Sequence, residues 1–239
     1  MHLFYCVGPY SDLIELPVDE AYHAANVLRL KVNSEIQITN GAGQIYIASI
    51  VEITNKKCFV KIESEIPQIL RNSKLHLAVA PTKNIDRFEW FLEKATEVGV
   101  EVITPLLCRY SERKEIKLDR LNKLIVSAAK QSRHALFPKL NPMISFKEFV
   151  EDQHRRDEIK LIAHCESTPK VKMNPLLAVN HSTLILVGPE GDFSPQEIEL
   201  AEQNKFKSIT LGNYRLRTET AALMACMAFN LFITNNTEE

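Results

Sequence analysis

Glycine is scarce in this chain, with seven among 239 residues, and the glycine-rich nucleotide signatures are missing with it. No G-x-G-x-x-G follows a strand-like run, which argues against a Rossmann dinucleotide site, and no G-x-x-x-x-G-K-[ST] sequence is present to cradle phosphates. No G-x-S-x-G nucleophile elbow occurs either. Net charge is nearly absent at −1, so any nucleic-acid contact must use a local patch and not the whole-molecule field. The five cysteines (Cys6, Cys58, Cys108, Cys165, Cys226) are odd in number and contain no C-x-x-C pair. They read as reduced thiols, not as a disulfide framework or zinc site. Seven histidines are scattered without H-x-x-x-H spacing, so no metal is expected. The opening MHLFYCVGPYSDL has no basic segment followed by a long apolar core, and the longest apolar run, Ala221 to Phe229, is too short to span a bilayer. A soluble, cytoplasmic protein without a membrane partner is the expectation. No internal repeat or low-complexity tract stands out.

What is present divides near residue 70. Short strands are expected at Leu3–Val7, Glu35–Thr39, Gln44–Ile53 and Cys58–Glu63, with Gly41-Ala42-Gly43 as a turn and one helix at about Asp19 to Leu30. Residues 1–70 thus read as a small β-barrel, and Ile66 to Ser73 as a linker. From Lys74 onward, strands near Leu75–Ala80, Val102–Leu107, Ile159–His164, Leu184–Val187 and Ser208–Leu211 alternate with amphipathic helices over Asn84–Val98 and Lys117–His134. That alternation over 74–239 predicts an α/β domain with a mostly parallel sheet covered by helices on both sides.

Leu184 to Phe229 carries two consecutive strand–loop–helix units. The first strand breaks at Gly188-Pro189-Glu190-Gly191, before a helix opened by Ser194, Pro195 and Glu197, a capping box with proline at the first helical position. The second strand ends at Leu211-Gly212, and the loop Asn213 to Arg217 leads into an apolar helix from Thr218. Three of the few glycines fall in these loops, and in open α/β sheets ligands lie outside the carboxyl ends of the strands. A cofactor pocket follows as the leading expectation. Elsewhere, Arg109 to Lys139 holds nine basic residues against Glu112, Glu115 and Asp119, a local charge of +6. This is either a solvated face or a surface for a polyanion.

Gly188-Pro189-Glu190-Gly191, Leu211-Gly212 and Leu216-Arg217-Thr218-Glu219-Thr220-Ala221 closely resemble the RsmE-type methyltransferases of the SPOUT class. Further matches are Glu93 to Val100, Ala129-Lys130-Gln131-Ser132-Arg133, and His23 with Val27-Leu28-Arg29. Asp192 stands where the family most often has a second glycine, and Asn26 where a basic residue is common. The resemblance implies a SPOUT α/β domain over 74–239 with a carboxy-terminal trefoil knot, a PUA-like barrel over 1–70 for RNA, and a homodimer. It also implies S-adenosyl-L-methionine as cofactor, 16S ribosomal RNA or the small ribosomal subunit as partner, and 3-methyluridine as product. Carried residue by residue, it places the cofactor against His164, Cys165, Val187, Gly188, Pro189, Glu190, Gly191, Leu211, Gly212, Leu216, Arg217, Thr218 and Ala221. Arg217 and Glu219 would serve catalysis, and His23, Arg29, Arg109, Arg113, Arg120, Lys123, Lys130 and Arg133 would hold RNA. The residues leave alternatives open. Arg217 either pairs with Glu219 or Glu190 or stabilises a developing uracil anion, and Glu190 and Glu219 also suit helix starts as plain first-turn acids. His164 and Cys165 either line the site or pack. The rival readings are a non-catalytic RNA-binding protein on the same fold and a nucleotide-binding enzyme without RNA.

Overall fold

Strand alternation builds the amino-terminal region, in which Ile36 and Ile38, Ala48 and Ile50, and Cys58 and Val60 are fully buried while their neighbours reach outward. The computed structural model describes residues 1–8, 13–152 and 158–236. Its contacts define two units, one of Met1–Leu70 with Val126–Phe137 and one of Arg71–Ile125 with Pro138–Glu239.

The first unit contains β1 (Leu3–Tyr5), β2 (Leu13–Glu15), α1 (Val18–Tyr22), β3 (Glu35–Thr39), β4 (Ile45–Ile53) and β5 (Cys58–Ile66). They form a five-stranded sheet in the order β1-β3-β4-β5-β2, antiparallel except for the β1–β3 pair. Register shifts at Ile47/Ala48 and Ile50/Glu52 mark irregularities that increase local twist. The expected barrel is seen as this sheet, with β1 and β2 at its two edges and residues 9–12 between them outside the described residues. The single expected helix is two pieces, α1 and a π-helical turn over His23–Val27, after which Arg29 takes φ +54°.

Val126–Phe137, expected within 74–239, packs with the first unit. The reason is specific bonding. The Ala135 carbonyl accepts from the Gly43 N–H at 2.9 Å, and the Phe137 N–H donates to the Gly41 carbonyl at 2.8 Å. Lys130 pairs with the buried Glu20.

The second unit contains β6 (Leu75–Val79), α2 (Ile85–Val98), β7 (Val102–Leu107), the start of α3 (Leu118–Gln131), β8 (Lys139–Leu140), β9 (Ile144–Ser145), α4 (Phe146–Glu151), β10 (Ile159–Ala163), β11 (Val171–Lys172), β12 (Thr183–Val187), α5 (Pro195–Gln203), β13 (Lys207–Thr210) and α6 (Thr218–Asn236). Its eight strands run in the order β11-β13-β10-β12-β6-β7-β8, with β9 also on β7, and every pairing is parallel. All residues of β6 and β12 are buried, as expected for strands covered on both faces. Leu75, Leu77, Ile185 and Val187 pack against α2 and α6 through Phe88, Phe91, Leu92, Ala225 and Phe229. On the opposite face, Ala78, Leu184 and Leu186 meet Phe146, Phe149, Phe193 and Ile198 of α4, α5 and the loop before α5. Each such buried aromatic stabilises the fold by about 1.5–3 kcal/mol relative to exposure. Asn84 caps α2 at its start, and Gly99 at φ +103° ends it. Arg71 then binds Glu101, Asn230 and the Gly99 carbonyl, each at 2.5 Å, tying the end of α2 to α6. Among the described residues, no helix is long and apolar enough to cross a membrane.

Candidate functional site

The strand order brings β13, β10 and β12 side by side, with Ala163 level with both Val187 and Ile209. Three loops therefore leave the sheet from one edge: Gly188–Phe193, Leu211–Arg217 and the chain from His164 to Lys170. They enclose a cavity of about 560 Å³. Of the residues expected to touch a cofactor, His164, Cys165, Val187, Gly188, Pro189, Glu190, Leu211, Gly212, Leu216, Arg217, Thr218 and Ala221 all line it. Gly191 does not line it. A Cβ there would lie 2.9 Å from Cβ of Tyr110, so the absence of a side chain serves loop packing.

Asp192 organises the site although it departs from the family's glycine. Its φ is +65°, a conformation in which glycine is the unstrained choice, and the Asp192 N–H donates to the Pro189 carbonyl at 2.9 Å. The carboxylate accepts from the Cys165 N–H at 2.7 Å and from the Phe193 N–H at 2.8 Å, joining the loops after β10 and β12. Thr218 donates its hydroxyl to the Gly188 carbonyl at 3.0 Å and so fixes the start of α6 against the first loop. Glu190 accepts from the Lys83 N–H at 2.9 Å, which holds the β6–α2 loop beside the rim.

His164 is only 7% exposed, and among the described residues neither ring nitrogen has a hydrogen-bond partner. Burial first, then Lys170, holds its pKa below the ordinary 6.5, against the opposite pull of Asp192, Glu202 and Glu166. Burial, reinforced by Asp192, pushes the Cys165 thiol up, which suits a neutral lining group better than a nucleophile.

Arg217 is exposed at the rim and has no ion pair among the described residues, so neither expected pairing, with Glu219 or with Glu190, is formed. Glu219 is buried, lies 4.0 Å from Arg87 of α2, and is absent from the cavity lining. Arg215, expected beside the ligand with Glu190 and Arg217, lines the cavity, whereas sequence reasoning missed Lys170, Thr210, Asn213 and Tyr214. Three of these fall between or beside recognised motif positions, and strand-end geometry alone could have found them. Lys170 carried no signal. It reaches the site because its amine bonds the His164 and Glu166 carbonyls at 3.0 and 2.8 Å.

The expected RNA-binding residues separate into engaged and free groups. In the second unit, Arg113 donates to the Thr82 and Lys83 carbonyls at 3.0 and 2.6 Å, and Arg120 pairs with Glu89 at 2.8 Å. Arg109 lies over the Tyr110 ring, and Lys123 is exposed with no ion pair among the described residues. In the first unit His23, Arg29 and Arg133 are exposed. Lys130 differs from the expectation of a surface for a polyanion, because its amine is turned to Glu20 and over the Phe4 ring.

The family described as RNA methyltransferase domain matches residues 70–230, and that described as RNA methyltransferase PUA domain matches residues 16–63. The chain is 32% identical over 220 residues to the ribosomal RNA small subunit methyltransferase E of Rickettsia conorii, covering 90% of this chain and 88% of that protein. Among solved structures it is similar to a probable rRNA-methyltransferase from Porphyromonas gingivalis, with TM-score 0.91, 35% identity, and coverage of 99% of this chain and 100% of that one. It is also similar to the ribosomal RNA small subunit methyltransferase E of Neisseria gonorrhoeae bound to S-adenosyl methionine, with TM-score 0.85, 27% identity and 97% coverage of each chain.

Proposed function

The chain belongs to the RNA methyltransferase family, and on that footing we propose that it transfers a methyl group from S-adenosylmethionine to N3 of a uridine in the 16S RNA of the small ribosomal subunit. One observation carries this reading: three loops from adjacent parallel strands enclose a cavity of about 560 Å³, and at its rim stands Arg217, which has no ion pair among the described residues. The volume suits a small cofactor, since ligand pockets run from about 300 to 1,000 Å³. The lining fits this donor as well: apolar Val187, Ile209 and Leu211 for a flat ring, backbone at Gly188 and Gly212, and a buried imidazole with both nitrogens unpartnered among the described residues. When bound, the sulfonium supplies an electrophilic methyl, so the protein's part is positioning and charge stabilisation.

Uridine N3 carries a proton at neutral pH and sits on the Watson–Crick edge, so the base must be unpaired before it can react. Tyr214, 87% exposed on the cavity loop, offers an aromatic face for stacking such a base. Arg217 supplies a fixed positive charge to a uracil oxygen as N3 loses its proton. Glu219 acts from behind as a positioning residue, paired to Arg87 in the first turn of α6. Phosphates are held by Arg109 and Lys123 in the second unit and by Arg29, Arg133 and His23 in the first, which acts as the PUA-like RNA-binding domain. The enzyme works in the cytoplasm as a homodimer. Support for the dimer comes from an apolar stripe on α6, where Met224, Met227 and Leu231 are 44%, 44% and 59% exposed. The trefoil knot is proposed from the family together with the placement of β13 between β10 and β11, both of which precede it in the chain.

Calorimetry with S-adenosylmethionine on the purified full chain should give saturable binding. Mass mapping of 16S RNA from a deletion strain should show loss of 3-methyluridine, restored by the wild-type gene but not by Arg217→Ala. A folded protein without saturable cofactor binding would sink the methyltransferase reading.

A further inference from the structure

Resting on the proposed function, we infer that His164 is the residue that selects the uncharged nucleoside end of the methyl donor, giving a hydrogen bond from one ring nitrogen and accepting one at the other. Both nitrogens are buried and unpartnered among the described residues, in a side chain that is 7% exposed and lines the cavity. A buried polar atom left without a partner is costly. Two such atoms on one ring of a residue that lines the cavity mark a place where a ligand supplies what the protein does not.

The ring's surroundings define what those groups are. Asp192 on the loop after β12, Glu202 on α5 and the neighbouring Glu166 favour protonation, but burial first and then Lys170 oppose it, and the net effect favours the neutral imidazole. A neutral imidazole has one donor and one acceptor. The two nitrogens point away from each other, so that pair suits uncharged groups on either side of the ring, such as a ribose hydroxyl at one nitrogen and an adenine nitrogen or amine at the other. Bringing the carboxylate and ammonium of an amino-acid end to this buried ring would cost more than bringing neutral groups. Charged groups for that end exist elsewhere in the lining, since Glu190, Arg215 and Arg217 are all exposed at the rim. The loop holding the imidazole is fixed on both sides of the residue. Lys170 bonds the His164 carbonyl at 3.0 Å, and Asp192 accepts from the next N–H at 2.7 Å.

Two ligands separate the ends of the donor. S-Adenosylhomocysteine carries both, whereas 5′-methylthioadenosine has the nucleoside without the amino acid. Calorimetry on the intact protein should show His164→Leu weakening both by the same factor, about 10- to 100-fold for two lost hydrogen bonds. His164→Asn, which keeps a donor and an acceptor, should recover part of that loss. Wild-type affinity for both ligands should hold through the ordinary imidazole range and fall only at more acid pH, where protonation removes the acceptor, and His164→Asn should be flat over the same range. Should His164→Leu not fold, the Asn variant and the wild-type pH profile decide the matter. Wild-type affinity for both ligands in His164→Leu, or in its absence a pH profile shared by wild type and His164→Asn, overturns the inference. A loss confined to S-adenosylhomocysteine also overturns it, because the imidazole would then read the amino-acid end. Wild-type protein that binds neither ligand brings down the proposed function and this inference with it.

Discussion

Asp192 holds a left-handed backbone at φ +65° and accepts two N–H groups, so its contribution combines a strain and a compensation. Asparagine tolerates the same conformation and keeps an acceptor, so Asp192→Asn should leave stability within about 0.5 kcal/mol of wild type. Asp192→Ala loses both features and should cost about 2 kcal/mol in urea titrations, roughly one for the backbone and one for the lost bonds. The two cavity glycines are not equivalent. A Cβ at Gly188 would crowd the Phe193 N at 3.1 Å, so a side chain there disturbs the turn itself. At Gly212 a Cβ would meet nothing within 4 Å, but φ is +141°. Gly212→Val should therefore keep the fold at a cost of about 1–3 kcal/mol of backbone strain, and lose S-adenosylmethionine binding as the loop relaxes. Calorimetry beside a melting curve checks this, and undiminished affinity would show that the loop conformation is dispensable.

At the scale of elements, α5 and α6 illustrate opposite relations between pattern and placement. The capping box of α5 was legible because it is local: Ser194 accepts from the Glu197 N–H, and Glu197 accepts from the Ser194 N–H at 2.8 Å. Its neighbours in the chain are its partners. In α6 the residues are apolar nearly all round, and the pattern did not say which face the sheet would take. Packing chose Ala222, Ala225, Cys226, Phe229 and Ile233, leaving Met224, Met227 and Leu231 outside. Placing a charge in that stripe by Met227→Lys should dissociate the proposed dimer, which light scattering would register as halved mass with helical content retained. A wild-type protein that is already monomeric at micromolar concentration would remove the reason for the stripe. Short elements such as β2, β8, β9 and β11 escaped the sequence reading because two or three residues carry no period.

For the whole molecule, charge was the coarsest guide and the structure refines it most. The basic segment reads as one run in the sequence, yet Lys130 is drawn inward to Glu20 while Lys123 is exposed with no ion pair among the described residues. Lys123→Glu should weaken RNA binding and lower its salt slope by about one phosphate contact, with cofactor affinity unchanged. Lys130→Glu should instead destabilise the first unit by on the order of 3 kcal/mol, because it sets a second carboxylate against a buried one. Filter binding across a salt series and urea titration distinguish the two outcomes. Equal RNA affinity and salt slope in wild type and Lys123→Glu would make that face an ordinary solvated one. Arg217→Ala should show the complementary pattern, with RNA binding retained and methyl transfer lost.

The sequence by itself determined the features that depend on neighbours in the chain. These are the alternation after Lys74, the strand at Val102–Leu107, the capping box of Ser194 and Glu197, and the two loops that supply most of the cavity. Buried parallel strands and helix caps are written in local periodicity and hydrogen-bonding chemistry, so they can be read one segment at a time. Only the tertiary structure decided which side chains face one another across long separations. It placed Lys170 under His164, brought Asp192 to the Cys165 N–H, turned Glu219 towards Arg87 and away from the cavity, and moved Val126–Phe137 into the first unit. These outcomes follow from strand order, which sets β10 between β12 and β13, and the energy of parallel pairing that produces this order is spread over partners far apart in the chain.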